Sequence, residues 1–190
     1  MRKHLNRAQQ GFSLLESLVA IGIISIVLAM AIINFGNMMP NARANSAMAQ
    51  MLYRLRSARE QAISHRREVQ VQFVGTNQLT ISELWTVGTP PPPNTYTFEG
   101  GATYVVLPGI PDTPMAFGNS SAVYFGGVSG GPPIMKFTTN GSFIDGGNTL
   151  VNGTVFLGIP GKNQSARAIT ILGSTGRVRQ YHWDGTQWQE

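Results

Sequence analysis

The sequence predicts an α+β fold: a long N-terminal helix packed on an antiparallel β-sheet head. The first half of the helix reads as membrane-spanning and the second half as amphipathic. Three observations predict this. Residues 12–33 form an almost unbroken apolar run behind a basic stretch. Between positions 44 and 62 apolar residues return every three or four positions, the period of one helix face. From Glu68 onward the period falls to two, the alternation of a strand with one buried side.

The N-terminal element carries the most information. Residues 1–10 are polar and basic, with Arg2, Lys3 and Arg7, and Gly11 follows. The apolar run behind them is broken by Ser13, Glu16, Ser17, Gly22 and Ser25. At about 1.5 Å per residue it nearly spans a hydrocarbon core of roughly 30 Å. The next Lys or Arg is Arg43, so the positive-inside rule keeps the N-terminus cytoplasmic and exports the rest. A secretory signal peptide fits poorly. Its small-x-small cleavage site should follow the apolar run, and no acid should sit inside it. Glu16 is such an acid, and a carboxylate in a membrane helix costs roughly 2.5–3.5 kcal/mol at the centre. It calls for a positive partner. Cleavage after Gly11 would create one, the new α-amino group of Phe12.

Gly36 and Pro40 mark an irregularity, and a bend is expected there because proline kinks or ends a helix. Beyond it Ala44, Met48, Met51, Leu55, Ala58 and Ala62 form the apolar stripe, with Arg56, Arg59, Glu60, Arg66 and Arg67 largely off it. The stripe reads as packing on the protein's own sheet, and the helix as ending near His65. The expected organisation is therefore a leader over 1–11, a membrane helix over 12–35, an amphipathic helix over 36–67 and an antiparallel head over 68–190.

In the head, Val69, Val71 and Phe73 alternate with glutamines, Gly75-Thr76-Asn77 turns, and Leu79 and Ile81 resume the alternation. That is a hairpin. Four prolines at 90–93 exclude a central strand, so 86–97 is expected as an exposed loop insertion. Further strands are expected at 103–107, 122–125, 134–138, 154–159, 168–172 and 177–183, as one largely meandering sheet. Asn140-Gly141 between Phe137 and Phe143 is a tight-hairpin signal.

Composition narrows the chemistry. With Cys 0 there is no thiolate metal site and no cysteine nucleophile. Gly127-Val128-Ser129-Gly130-Gly131 matches the nucleophile-elbow spacing, but Pro132-Pro133 blocks the helix an elbow needs, so a glycine-rich turn is expected. His65 and His182 stand alone, without a carboxylate cluster. No phosphate-binding glycine loop is present. The chain is not read as an enzyme, and no cofactor or metal is expected.

In the last expected strand, Arg177, Arg179, Tyr181 and Trp183 share one face by the period of two. Arginines beside aromatic rings can hold phosphate and stack on bases. The net charge is +5, but three basic residues lie before Phe12; without them eleven basic residues face nine acidic ones, +2. Attraction to nucleic acid would have to be local.

Gly11-Phe12-Ser13-Leu14-Leu15-Glu16-Ser17-Leu18-Val19-Ala20-Ile21 resembles the prepilin motif of type IV pilins and type II secretion pseudopilins. The resemblance implies cleavage between Gly11 and Phe12 by a prepilin peptidase and methylation of the Phe12 amine. It also implies that Glu16 pairs with the N-terminal amine of a neighbouring subunit. Ser13 stands where Thr is commoner and Leu15 where Ile is common. Arg56-Ser57-Ala58-Arg59-Glu60-Gln61-Ala62-Ile63, Phe137-Thr138-Thr139-Asn140-Gly141 and Gly176-Arg177-Val178-Arg179 are similar to the GspH/FimT family of minor pilins and pseudopilins. The partners implied are other pilin or pseudopilin subunits, the prepilin peptidase, an inner-membrane assembly platform and the bacterial inner membrane, crossed once with the head periplasmic. The resemblance also carries an alternative, a DNA-binding minor pilin of a competence pilus using Arg177, Arg179 and Tyr181.

Overall fold

The structure, a computed structural model, describes residues 13–190, except the side chains of 31–37. Helix α1 spans Leu14–Ser64, with Pro40 inside it. The proline therefore does not end the helix. The chain divides into two compact units, Met1–Met39 and Pro40–Glu190.

In the first unit the described helix displays its apolar side chains: Leu14 is 84% exposed and Ile26 is 60% exposed. Among the described residues no helix is long and apolar enough to cross a membrane. Phe12 and the side chains of 31–35, which belong to the expected span over 12–35, lie outside the described residues.

The second unit is the head. The strands are β1 (Val69–Val74), β2 (Gln78–Glu83), β3 (Asn94–Thr97), β4 (Thr103–Tyr104), β5 (Val123–Phe125) and β6 (Val128–Ser129). They continue as β7 (Met135–Phe137), β8 (Phe143–Asp145), β9 (Gly153–Ile159), β10 (Lys162–Leu172), β11 (Arg177–Trp183) and β12 (Trp188–Gln189). The strands form two sheets, where one meander was expected. The first runs β3-β2-β1-β7-β8; the second runs β12-β11-β10-β9-β5-β6, with β4 also paired to β9. Every pairing is antiparallel. A period of two tells which face a residue takes but not which strand lies alongside. Here β1 takes β7 as its second neighbour and β5 takes β9.

The helical stripe lands as expected. Ala44, Met48, Met51, Leu55, Ala58 and Ala62 are all buried. From Met48 onward they meet Val69, Val71, Phe137 and Phe143 of the first sheet and Val155, Leu157, Ile169 and Ile171 of the second, in one core. The alanines let the backbone come close to the strands, while Met51 and Leu55 fill the space between the sheets. The second sheet also buries its other face: Phe156, Ala168 and Tyr181 pack under Val106, Met115 and Trp188. Strand β9 is consequently buried on both sides.

The end of α1 is built by Arg66 in the left-handed region (φ 52). Its N–H bonds the Ile63 carbonyl at 3.4 Å, and the Arg67 N–H bonds the Ala62 carbonyl at 3.2 Å. This pair of bonds is a Schellman cap, a place where glycine is the usual residue. Prolines 90–93 are exposed, but the expected loop insertion is shorter than 86–97 because Asn94–Thr97 pairs with the edge of β2. Residues 127–131 form β6 and its turns, with no helix following.

Candidate functional site

Two places bear on function, one at each end of the described chain. At the start of α1, Ser13 acts as N-cap. Its Oγ accepts the Glu16 N–H at 3.2 Å, and its carbonyl accepts the Ser17 N–H at 3.1 Å. Ser-x-x-Glu is the capping-box spacing, so the residue expected to pair with a neighbour's amine also occupies the helix position where an acid is favoured. Glu16 is exposed. Gly11 and Phe12, the expected processing site, lie outside the described residues.

At the other end, the three candidate nucleic-acid residues of β11 fare differently. Arg177 is exposed. Arg179 is half-buried and donates to Glu190 Oε2 at 3.4 Å. The Tyr181 hydroxyl first, and Glu190 second, stabilise its charge. Tyr181 is only 3% exposed, packed against Phe156 and Ala168. Its ring is closed to a stacking base. The cause is the second buried face of the larger sheet: a position that alternation alone would read as outward points into a covered layer.

Arg177 instead joins residues from elsewhere in the chain. A cleft of about 530 Å³ is lined by Arg56, Arg59 and Glu60 of α1 and by Thr175, Gly176, Arg177 and Val178. Arg59 Nε donates to the carbonyls of Gly141 (3.1 Å) and Thr175 (3.0 Å). Arg56 Nη2 donates to the Val178 carbonyl at 3.3 Å. The close fit requires glycine at 176. It takes φ +59, and a Cβ there would lie 2.0 Å from the Gly141 carbonyl oxygen. Helix, Asn140-Gly141 turn and Gly176 turn are thereby tied together by one guanidinium. The separate motifs noted in the sequence converge here, although their spacing along the chain gave no sign of it.

Two further features escape sequence reading. Arg167 is 4% exposed and satisfied by oxygen acceptors rather than a carboxylate: Asn45 Oδ1 at 2.7 Å, Gln164 O at 2.9 Å and Ala166 O at 2.7 Å. Burial lowers its pKa. Beyond the helix end, Glu83 meets His65 Nδ1 at 2.5 Å and accepts the Trp85 indole N–H at 3.1 Å, and Arg67 lies 3.9 Å over the Trp85 ring. The His65 hydrogen bond is the largest of the effects that hold the Glu83 carboxyl below its ordinary value, against partial desolvation.

The chain is similar to several known proteins. Residues 6–32 match the prokaryotic N-terminal methylation motif, and residues 47–176 match type II transport protein GspH. The latter match runs through the 84–134 region that the short motifs left uncovered, and it stops before Arg177. No curated protein sequence matches. Among solved structures, the type IV minor pilin FimU of Pseudomonas aeruginosa is 18% identical over 77% of this chain and 97% of its own, with a TM-score of 0.47. The minor pseudopilin EpsH of the Vibrio cholerae type 2 secretion system is 16% identical over 74% of this chain and 97% of its own, with a TM-score of 0.46. With well over half its residues matched by one family model and the methylation motif ahead of them, the chain belongs to the GspH family of pilin-like proteins.

Proposed function

We propose that this chain is a minor pilin or pseudopilin subunit of a type II secretion system or type IV pilus. In this reading prepilin peptidase cuts between Gly11 and Phe12, the Phe12 amine is methylated, and the first half of α1 anchors the chain in the bacterial inner membrane with its head in the periplasm. An assembly platform then passes it into a filament or its tip. The observation that carries the reading is the first half of α1. Its apolar side chains are displayed rather than folded away, and its first turn holds an acid. Such a surface calls for an apolar surrounding, first lipid and then the helices of neighbouring subunits. The mechanism is mechanical: apolar helices bundle, and Glu16 sets the register by meeting the Phe12 amine of the next subunit.

Two substitutions test it. Gly11→Val should leave the leader attached, whereas wild-type protein from a strain with the peptidase should show the mass of the chain from Phe12 plus one methyl. Cleavage after Ala20, Ala29 or Ala31 would mark an ordinary signal peptide. Glu16→Leu should insert as well as wild type, because a charge is removed from the membrane helix. It should nevertheless be absent from sheared filaments, and wild-type incorporation of Glu16→Leu would end the pairing role.

The nucleic-acid alternative is the weaker reading. Of its three residues Tyr181 is buried and Arg179 is engaged by Glu190, which leaves Arg177. One exposed arginine is a small footprint for a polyanion, accounting for about one unit of salt slope.

A further inference from the structure

The cleft beside Gly176 holds three arginines and one acid, Glu60, and among the described residues none of the arginines forms an ion pair. Three acids elsewhere are paired: Glu83 with His65, Glu68 with Lys136 and Glu190 with Arg179. The bonds that Arg56 and Arg59 do make go to backbone carbonyls, which fix a guanidinium in place without neutralising it. Arg59 spends only Nε on them, so its two terminal amino groups remain available. A guanidinium held in this way is ready for a bidentate pair with a carboxylate, and little side-chain entropy is left to lose on pairing.

The cleft does not stop at its charges. A groove of about 450 Å³ continues along the same outward face of α1, lined by Ala49, Leu52, Tyr53 and Ser57 and sharing Arg56 and Glu60 with the cleft. Tyr53 is 63% exposed, the kind of rigid amphipathic side chain that anchors protein interfaces. A cationic end and an apolar end on one surface match a ligand with a carboxylate and an apolar side chain close together. Glu60, standing at the junction, can accept a backbone N–H.

We propose that this cleft and groove together dock an acidic peptide segment of a partner protein, its carboxylate paired with Arg56, Arg59 and Arg177 and a neighbouring apolar side chain lying over Leu52 beside Tyr53. The proposal rests on the head alone and is independent of which filament the chain enters.

The test uses the full chain in detergent micelles and fluorescence anisotropy. The probes are a fluorescein-labelled peptide of alternating glutamate and leucine, one with glutamine for glutamate, one with serine for leucine, and a labelled DNA duplex. The acidic apolar peptide should bind about tenfold more tightly than either control peptide. Arg56→Gln and Arg177→Gln should each weaken it about tenfold. Tyr53→Ser should do the same through the groove, while Arg66→Gln, outside both, should change nothing. Arg59 is left intact because it ties three segments, and unchanged thermal melts of the other variants show that the head is folded. Equal binding of the glutamine peptide would overturn the proposal, as would full binding by the Arg56→Gln, Arg177→Gln double variant. Tighter binding of the duplex, lost in that same double variant, would also overturn it and give the cleft to nucleic acid. Filament incorporation of Glu16→Leu is a separate readout, so a failure here leaves the filament reading standing.

Discussion

The two halves of α1 are both rich in apolar residues, and they meet opposite fates. Leu18, in the first unit, is 64% exposed; Leu55, in the head, is 0% exposed. In the head the apolar residues recur on one face and charged ones occupy the other, so the helix can cover the gap between two sheets. Near the N-terminus apolar residues go all round, and no single sheet could cover them. The pattern of apolarity, rather than its amount, separates a helix that completes its own domain from one that needs an outside partner.

The sharpest way to break this comparison is to shorten one leucine in each half. Leu55→Ala should leave a cavity between the sheets and destabilise the head by about 3 kcal/mol, lowering its melting midpoint by roughly 6–12 °C. Leu18→Ala should change the same midpoint by about 1 °C or less, because its side chain is exposed. Equal effects would mean that the first half folds against the head.

The next largest effect is expected at a buried polar group. Arg167→Ala should cost about 2 kcal/mol, since Asn45 Oδ1 and two backbone carbonyls lose their donor and the packed stem is removed. Chemical denaturation would read it. A loss within error would show that water satisfies those acceptors.

A smaller effect depends on pH. The Glu83 carboxyl titrates below its ordinary value of 4.5 in the folded head. Its contribution to stability is therefore complete above that value and disappears as pH falls through the folded pKa. Glu83→Gln should melt below wild type at pH 6, and the two curves should converge as pH falls through the lowered folded pKa. A constant gap across that range would assign the difference to packing.

The smallest effect runs the other way. Arg66→Gly should stabilise the head by about 0.5–1 kcal/mol by relieving the left-handed strain at the helix end. A loss instead would mean that the Arg66 side chain holds something the backbone does not.

Much of this was legible in the sequence. Every member of the stripe from Ala44 to Ala62 is buried, the Val69–Val74 and Gln78–Glu83 hairpin forms, and β11 has the expected bounds. Local periodicity carries such information because one element's face is set by its own residues. The division into two sheets was not legible, because neighbours such as Val71 and Met135 are matched by tertiary packing. Tyr181 shows the same limit at the candidate site: alternation placed it beside Arg179, but the layer formed by Val106, Met115 and Trp188 comes from distant segments. The cleft was visible only as three unconnected motifs. The tie between Arg59, Gly141 and Thr175 spans 82 and 116 residues of chain.

That tie has a consequence under load. A pull along the axis of α1 does not peel the helix from the sheets one residue at a time. It shears the whole stripe at once, and it stretches the Arg56 bond to β11 and the Arg59 bonds to the two turns together. Bonds loaded in parallel share tension, so the rupture force grows with their number and the response is stiff up to the point of failure. The head is in this sense a fastening, strongest in the direction in which its own helix would be drawn.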